Sequence, residues 1–328
     1  MILVTGGAGY IGSHIVRDLA DRGYSVLVLD NLSTGHLEAV DKRVLFIQGD
    51  VGDEAVLDKI FKTYPVQAVI HLAASCLVGE SVKNPLKYYQ NNVVQTVCLL
   101  GKMIEHNIGN FIFSSTCATY GIPNQAVIHE QLPTNPINPY GHSKLMIEQI
   151  LNDISERHHF RFVALRYFNV AGAHSSGEIG EDHEPETHLI PNILRHLQGK
   201  FRSIQIFGDD YATPDGTCIR DYIHVSDLSS GHILALEYLL QNPAQKITEI
   251  FNLGNEKGVS IWEMINLCEQ VTGGKATVQI QPRRQGDPPQ LVATSQKIRD
   301  VLGWSPKYDI KKTIESAWNW HQKHPNGY

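Results

Sequence analysis

Tyr140 and Lys144 stand four residues apart in "NPYGHSKLMIEQI", residues 138–150. Asn138 and Pro139 read as a helix cap and a first-turn proline. Leu145, Met146 and Ile150 read as the apolar residues that follow. The spacing puts a phenol and an ammonium on one helix face. An unperturbed phenol titrates near about 10. A neighbouring cation favours the phenolate, which can then act as general base toward an alcohol being oxidised. Upstream, "FIFSSTCATYG" ends in Ser114, Ser115 and Thr116. Hydroxyls at a strand's carboxyl end stand where open α/β sheets bind ligands.

A second chemistry sits at the start of the chain. "VTGGAGYIGSH" follows an apolar run and enters a helical pattern; Gly7-Ala8-Gly9-Tyr10-Ile11-Gly12 matches GxGxxG, and the count from Gly6 matches GxxGxxG. Glycines there let a pyrophosphate approach backbone N–H groups at a helix N-terminus. "LVLDN" then ends the second apolar run with Asp30. Its carboxylate accepts from a ribose 2′-OH and repels a 2′-phosphate, which selects NAD over NADP. Asp50 and Val51, in "QGDV", stand where an adenine is read. Lys144 and the positive nicotinamide together lower the Tyr140 pKa; about three units require roughly 4 kcal/mol.

The elements that must hold these residues alternate. "ILV", "SVLVLD", "RVLFIQ", "VQAVIHL", "NFIFSS" and "FRFVALRY" read as buried strands. Helical patterns at 11–21, 89–106 and 139–156 lie among them. Strand–helix alternation implies α/β, a Rossmann-type doubly wound parallel sheet. Beyond about residue 170 come the polar "GAHSSGEIGEDHEPETH", then "SIQIF", a helix near 227–240, "EIFNL", a helix near 260–271, "TVQIQ" and a helix near 310–323. These form a smaller C-terminal α/β lobe.

Composition excludes other classes. The 328 residues are 42% hydrophobic with net charge −6, and no long basic run occurs. Neither a nucleic-acid groove nor a membrane patch is expected. "MILVTGG" reads as a first strand, not a secretion signal. Five scattered cysteines without a CxxC pair fit the reducing cytoplasm. Among 16 histidines, "HEPETH" superficially resembles a zinc motif. Its histidines are five apart and Pro185 interrupts a helix, so the reading is a solvated loop and no metal.

"TGGAGYIGSH", "LDNLSTG", "VGESVKNPLKYYQNNV", "FIFSSTCATYG", "PYGHSKLMIEQI", "LRYFNVAGAH", "DGTCIRDYIHV", "FNLG", "PRRQGD" and the final "HPNGY" carry a resemblance along the whole chain. The chain resembles the bacterial UDP-glucose 4-epimerase branch of the extended short-chain dehydrogenase/reductase superfamily. The resemblance implies reversible C4 inversion of UDP-galactose and UDP-glucose in galactose metabolism, through a 4-keto sugar and tightly bound NAD. It makes Tyr140 the base, Lys144 its partner, and Thr116 the hydroxyl that bonds the reacting oxygen. It assigns Gly6, Gly9, Tyr10, Ile11, Gly12, Asp30, Asn31, Leu32, Ser33, Thr34, Gly35, Asp50, Val51, Leu72, Ala73, Ala74, Ser75, Cys76, Asn91, Thr116, Tyr140, Lys144 and Phe168 to NAD. It assigns Thr116, Tyr140, Asn169, His188, Leu189, Gln205, Phe207, Arg220, Arg284, Asp287 and Leu291 to the nucleotide sugar. Residues 1–170 are then the NAD-binding domain and 171–328 mainly the nucleotide-sugar lobe, with some segments returning to the first domain. A homodimer is implied, with helices 89–106 and 139–156 as its interface.

The sequence departs from the family at three positions. Cys76 stands where some members carry a lysine, Leu291 where others carry a tyrosine, and His188 where some carry an asparagine. Leu291 leaves room for an N-acetyl group, so UDP-N-acetylhexosamines are expected as further substrates. Related dehydratases place an Asp-Glu pair directly after the strand-end threonine; here Cys117 and Ala118 follow Thr116, so elimination lacks its acid. A decarboxylase or a uronic-acid 4-epimerase needs a carboxylate pocket that sequence does not reveal. A non-catalytic NAD sensor on this fold has no need of Tyr140 and Lys144.

Overall fold

The computed structural model describes residues 1–123, 125, 127–284 and 287–328. Gln285 and Gly286, within "PRRQGD", lie outside the described residues. The chain begins with β1 (Ile2–Thr5), α1 (Tyr10–Asp21), β2 (Val26–Asp30), β3 (Leu45–Gln48), α2 (Glu54–Thr63) and β4 (Ala68–His71). Next come α3 (Val78–Lys83), α4 (Pro85–Tyr88), α5 (Gln95–Glu105), β5 (Asn110–Thr116), β6 (Val127–Ile128), α6 (Pro139–Arg157), β7 (Arg161–Tyr167) and β8 (Asn169–Ala171). Then follow α7 (Leu189–Leu197), β9 (Ile204–Phe207), β10 (Ile219–His224), α8 (Val225–Gln241), β11 (Thr248–Leu253) and β12 (Gly258–Ser260). The last elements are α9 (Ile261–Thr272), β13 (Val278–Gln281), β14 (Gln290–Ala293), α10 (Gln296–Leu302) and α11 (Ile310–Lys323).

Seven strands form one parallel sheet in the order β11-β7-β5-β4-β1-β2-β3. The reversal beside β1 is the switch point of a doubly wound fold, where ligands bind at the strands' carboxyl ends. β1, β2 and β4 are buried along their whole length, as strands covered on both faces must be. The apolar side chains on the two faces form two separate clusters. β11, the "EIFNL" run, joins this sheet beside β7 although it comes late in the chain. β12, β10, β14 and β6 form a second sheet, β8 pairs with β10, and β9 with β13 form a third. A further apolar cluster lies among α7, α9 and α11. No helix among the described residues is long and apolar enough to cross a membrane.

Two sequence readings change. The 89–106 segment is not one regular helix: residues 89–94 are wound as a π-helix before α5. On α6, Asn138 accepts from Gly141 N–H at 2.9 Å and Pro139 opens the first turn, as read. The buried face, however, holds Tyr140, Lys144, Ile147, Glu148 and Leu151, while Met146 is exposed. Tyr140, Lys144 and Glu148 are successive i, i+4 neighbours, so a polar stripe faces the sheet. Glu148 is satisfied there by Arg166 of β7, whose Nε donates at 2.9 Å and whose Nη2 also contacts it. Both are almost wholly buried. Removing one member of such a pair leaves an uncompensated charge. Arg166→Met should therefore destabilise the fold by ~3–5 kcal/mol in urea unfolding. A loss under about 1 kcal/mol would place the pair among weak surface bridges instead.

Candidate active site

The glycine loop leaves β1 at Gly6, which has φ +74°. A Cβ on Gly6 would lie 2.5 Å from Ala73 N, and one on Gly12 would lie 2.1 Å from Gly6 O. Both glycines are thus required by close backbone approach. Gly9 caps α1 with no side-chain hydrogen bond, so the helix presents its first N–H groups to the turn. Asp30 accepts from Ala8 N–H at 2.9 Å and Leu32 N–H at 2.8 Å, locking the end of β2 against the loop. Asn31 donates to Asp50 at 3.1 Å, and Asp50 accepts from Gly52 N–H at 2.8 Å. Gly35 abuts Ala8, and the N–H groups of Leu72 and Ala73 donate to Thr5 O, beside the same turn. This open, side-chain-free cradle with a carboxylate at its rim fits a dinucleotide.

Thr116 ends β5 and caps the turn that follows, accepting from Ala118 N–H at 3.2 Å. Tyr140 is buried beside it. Burial pushes the Tyr140 phenol well above its ordinary pKa; the Thr116 hydrogen bond opposes this only in part. Lys144 is buried too, and its Nζ donates to Ser114 O at 2.8 Å. That Nζ is 6.0 Å from the Tyr140 ring centre. Burial brings Lys144 down to about 8, with Cys76 and Glu148 opposing. Lys144 alone therefore does not make Tyr140 a phenolate; the sequence argument requires the positive nicotinamide as well. In the protein by itself desolvation outweighs the one ammonium.

Asn92 is a residue the sequence reading passed over in favour of its neighbour Asn91. It is 2% exposed, accepts from Ser75 N–H at 2.8 Å and donates to Ser75 O at 2.9 Å. It also donates to Ser143 on α6 at 3.1 Å. It thus ties the Leu72–Cys76 segment to the helix carrying Tyr140. Asn91 donates to the Asn92 side-chain Oδ1 at 3.0 Å, and Cys76 is exposed.

On the other side, Arg220 of β10 donates to Pro288 O at 2.8 Å and lies 3.5 Å from Asp287. Arg220 pairs with Leu291 in the β10–β14 register. Leu291 is half-buried against a cluster of Tyr120, Ile128, Phe168 and Ala293, against which Cys117 also packs. Arg284 stacks 3.9 Å over Phe207, beside exposed Gln205 on β9. Asn169 of β8 pairs with Tyr222 of β10. Leu189 opens α7 and His188 caps it, but the His188 Nδ1 faces Glu181 and Glu186 at 2.9 Å each. Segment 183–188 is a loop, as read, with Glu184, Pro185 and Thr187 exposed, but its other side chains are only partly in water. Glu181 is 5% exposed, because the turn packs its carboxylates inward against two imidazoles.

Residues 2–254 match the model of the NAD dependent epimerase/dehydratase family. The chain belongs to that family. A UDP-glucose 4-epimerase of Halalkalibacterium halodurans is 53% identical over 328 residues, spanning 100% of this chain and 97% of its own. The crystal structure of UDP-glucose 4-epimerase from Bifidobacterium longum in complex with NAD⁺ and UDP is 39% identical, with TM-score 0.94, over 100% of this chain and 99% of that one. The UDP-Glc/GlcNAc 4-epimerase from Campylobacter jejuni is 43% identical, with TM-score 0.85, over 98% and 99%.

For a member of this NAD-dependent family, the cradle's tightness is open to a direct check. Gly12→Ala places a methyl against Gly6 O and must open the turn. The purified variant should release far less NAD on denaturation than wild type. Equal NAD content would show that the close approach is not needed.

Proposed function

We propose that this chain is a 4-epimerase that interconverts UDP-galactose and UDP-glucose with tightly held NAD. One observation carries the mechanism: Tyr140 and Lys144 lie buried on one face of α6, beside Thr116 at the carboxyl end of β5. Residues 1–170 mainly bind NAD, and 171–328 mainly bind the nucleotide sugar. Gly6, Gly9 and Gly12 receive the pyrophosphate, and Asp30 the ribose. NAD⁺, when bound, takes up and returns the C4 hydrogen as hydride and adds the second positive charge that Tyr140 needs.

Tyr140 Oη removes the proton from the sugar's O4 and later returns it. Thr116 Oγ1 holds O4 toward that oxygen. Lys144 keeps positive charge near the phenolate, its own position set by Ser114 O. Arg220 and Arg284 hold the diphosphate, for which a guanidinium fork is suited. Anchored there, the 4-keto sugar turns and presents its other face. Binding energy from the UDP end is thereby used at the reacting carbon. Burial pushes the Cys117 thiol up to about 12, so it offers no ionised group for elimination.

Leu291 supports a wider substrate range, since it lies half-buried against the cluster that contains Phe168. UDP-N-acetylhexosamines then fit as well as plain UDP-hexoses. A homodimer through α5 and α6 is supported by exposed Val97 and Met146 on those helices and by Leu86 and Val94 just before α5. Five free cysteines support a cytoplasmic location.

Tyr140→Phe keeps the ring and loses the proton carrier. The variant should fold and retain NAD, while turnover of UDP-galactose falls by ~10²–10⁴. A base acts when deprotonated, so wild-type kcat/KM should rise with pH through an alkaline limb that this variant lacks. Near-normal turnover in folded Tyr140→Phe would remove Tyr140 from the mechanism.

Leu291→Tyr adds bulk to the pocket wall. It should slow UDP-N-acetylgalactosamine by roughly 5- to 150-fold, the rate equivalent of overpacking by ~1–3 kcal/mol, and spare UDP-galactose. Equal slowing of both substrates, or no wild-type activity on the N-acetyl sugar, would refute Leu291 as the size gate.

A further inference from the structure

Four ligand-type side chains converge in "EDHEPETH", residues 181–188, and epimerisation uses none of them as a set. Glu181, His183, Glu186 and His188 each direct one donor atom inward, and all four lie within 4.8 Å of one another. His188 Nδ1 is 2.9 Å from oxygens of Glu181 and Glu186. His183 Nδ1 is 3.5 Å from oxygens of the same two carboxylates.

Hydrogen bonding accounts for only part of this arrangement: His188 Nδ1 bonds one Glu186 oxygen at 2.9 Å. At 3.5 Å the His183 contacts are too long for N–H···O bonds. His183 Nδ1 is buried and has no hydrogen-bond partner among the described residues. One N–H of His188 cannot align with two carboxylates at once. Both glutamate side chains are nearly out of water, at 5% and 2% exposure. A tetrahedral ion with bonds of ~2.0–2.2 Å places its ligand atoms about 3.3–3.6 Å apart. The His183 separations of 3.5 Å fall within that spacing, and the His188 separations of 2.9 Å are shorter, so His188 would move outward slightly to admit the ion. The Glu186 oxygen nearest His188 also accepts from Thr187 and His188 N–H, as carboxylate ligands do in built sites.

We propose that Glu181, His183, Glu186 and His188 form a four-coordinate structural zinc site. Two imidazoles exclude the all-oxygen preference of magnesium and calcium, and two nitrogens with two carboxylates suit zinc. Four protein ligands close the site, so the ion is structural and not a water activator. The site joins three parts of the molecule. His183 meets the Tyr10 ring edge-on at 6.3 Å, Tyr10 Oη donates to Gly172 O at 2.6 Å, and His188 starts α7. Zinc would hold the 171–188 segment between the cofactor turn and the sugar lobe. Half-exposed His188, with 43% of its side chain accessible, offers the entry path.

The test uses the untagged, full-length protein. Purified without chelator, it should hold one zinc per chain by elemental analysis. Chelator-treated wild type should take up one Zn²⁺ and gain Tm on doing so. Co²⁺ in its place should give the strong visible absorption of a tetrahedral ion. His183→Gln and Glu181→Gln should each bind Zn²⁺ at least about 100-fold more weakly, beyond the usual cost of losing an outer partner. Circular dichroism checks that each variant is folded. If a variant does not fold, the chelator-treated wild type decides alone. Failure of wild type to take up Zn²⁺, or equal affinity in wild type and a folded variant, would overturn the site and leave a charge-paired cluster. These readouts do not depend on epimerase activity.

Discussion

Everything at the reaction centre depends on keeping one ammonium out of water. Lys144 is 3% exposed, and its Nζ has a carbonyl, Ser114 O, as its direct partner. Desolvation weakens its charge, as its depressed pKa of about 8 records. Glu148 lies one turn further along the same face and favours the charged form. Glu148 is itself neutralised by Arg166 on β7. The chain of charges thus runs from sheet to helix to phenol. Each member is buried and hydrogen-bonded, which fixes its position.

That rigidity matters because the phenol is held in an unfavourable state for its task. Burial alone favours neutral Tyr140. A permanently ionised phenol would have no reason to release and retake protons in step with the cofactor. A phenol that ionises only with a second cation beside it couples proton movement to the oxidised cofactor. The close turn at Gly6 and Gly12 supplies the other half of this coupling, by bringing a dinucleotide against bare backbone.

The late part of the chain is bound into the early part at many points. β11 extends the first sheet, and α8 packs on α1, where Ser229 donates to Asp18 at 2.5 Å. Asn92 performs a similar service at short range, linking the strand-end segment at Ser75 to α6 through Ser143. Cofactor-side and sugar-side groups are therefore positioned by shared elements.

Much of this was legible in the sequence. Six apolar runs became β1 to β5 and β7, because a strand buried on both faces must be apolar throughout; β3, read as buried, is instead the half-exposed edge strand. The glycine turn was legible because its backbone path admits no side chain, and α6 because Asn138 and Pro139 mark its start. Family membership followed from long motifs whose residues are constrained together. What the sequence could not decide was which way each face points. Leu145, Met146 and Ile150 are the apolar residues that follow the cap of α6, yet Met146 is exposed and a polar stripe is buried. Arg166 and the Ser115 hydroxyl, distant in the chain and adjacent in space, make that burial tolerable. Segment 183–188 misled in part for the same reason: it is the loop read from sequence, but the fold turns His183, Glu186 and His188 toward Glu181. Local pattern determines which elements form, but the satisfaction of buried polar groups is a property of pairs, and tertiary structure alone makes the pairs.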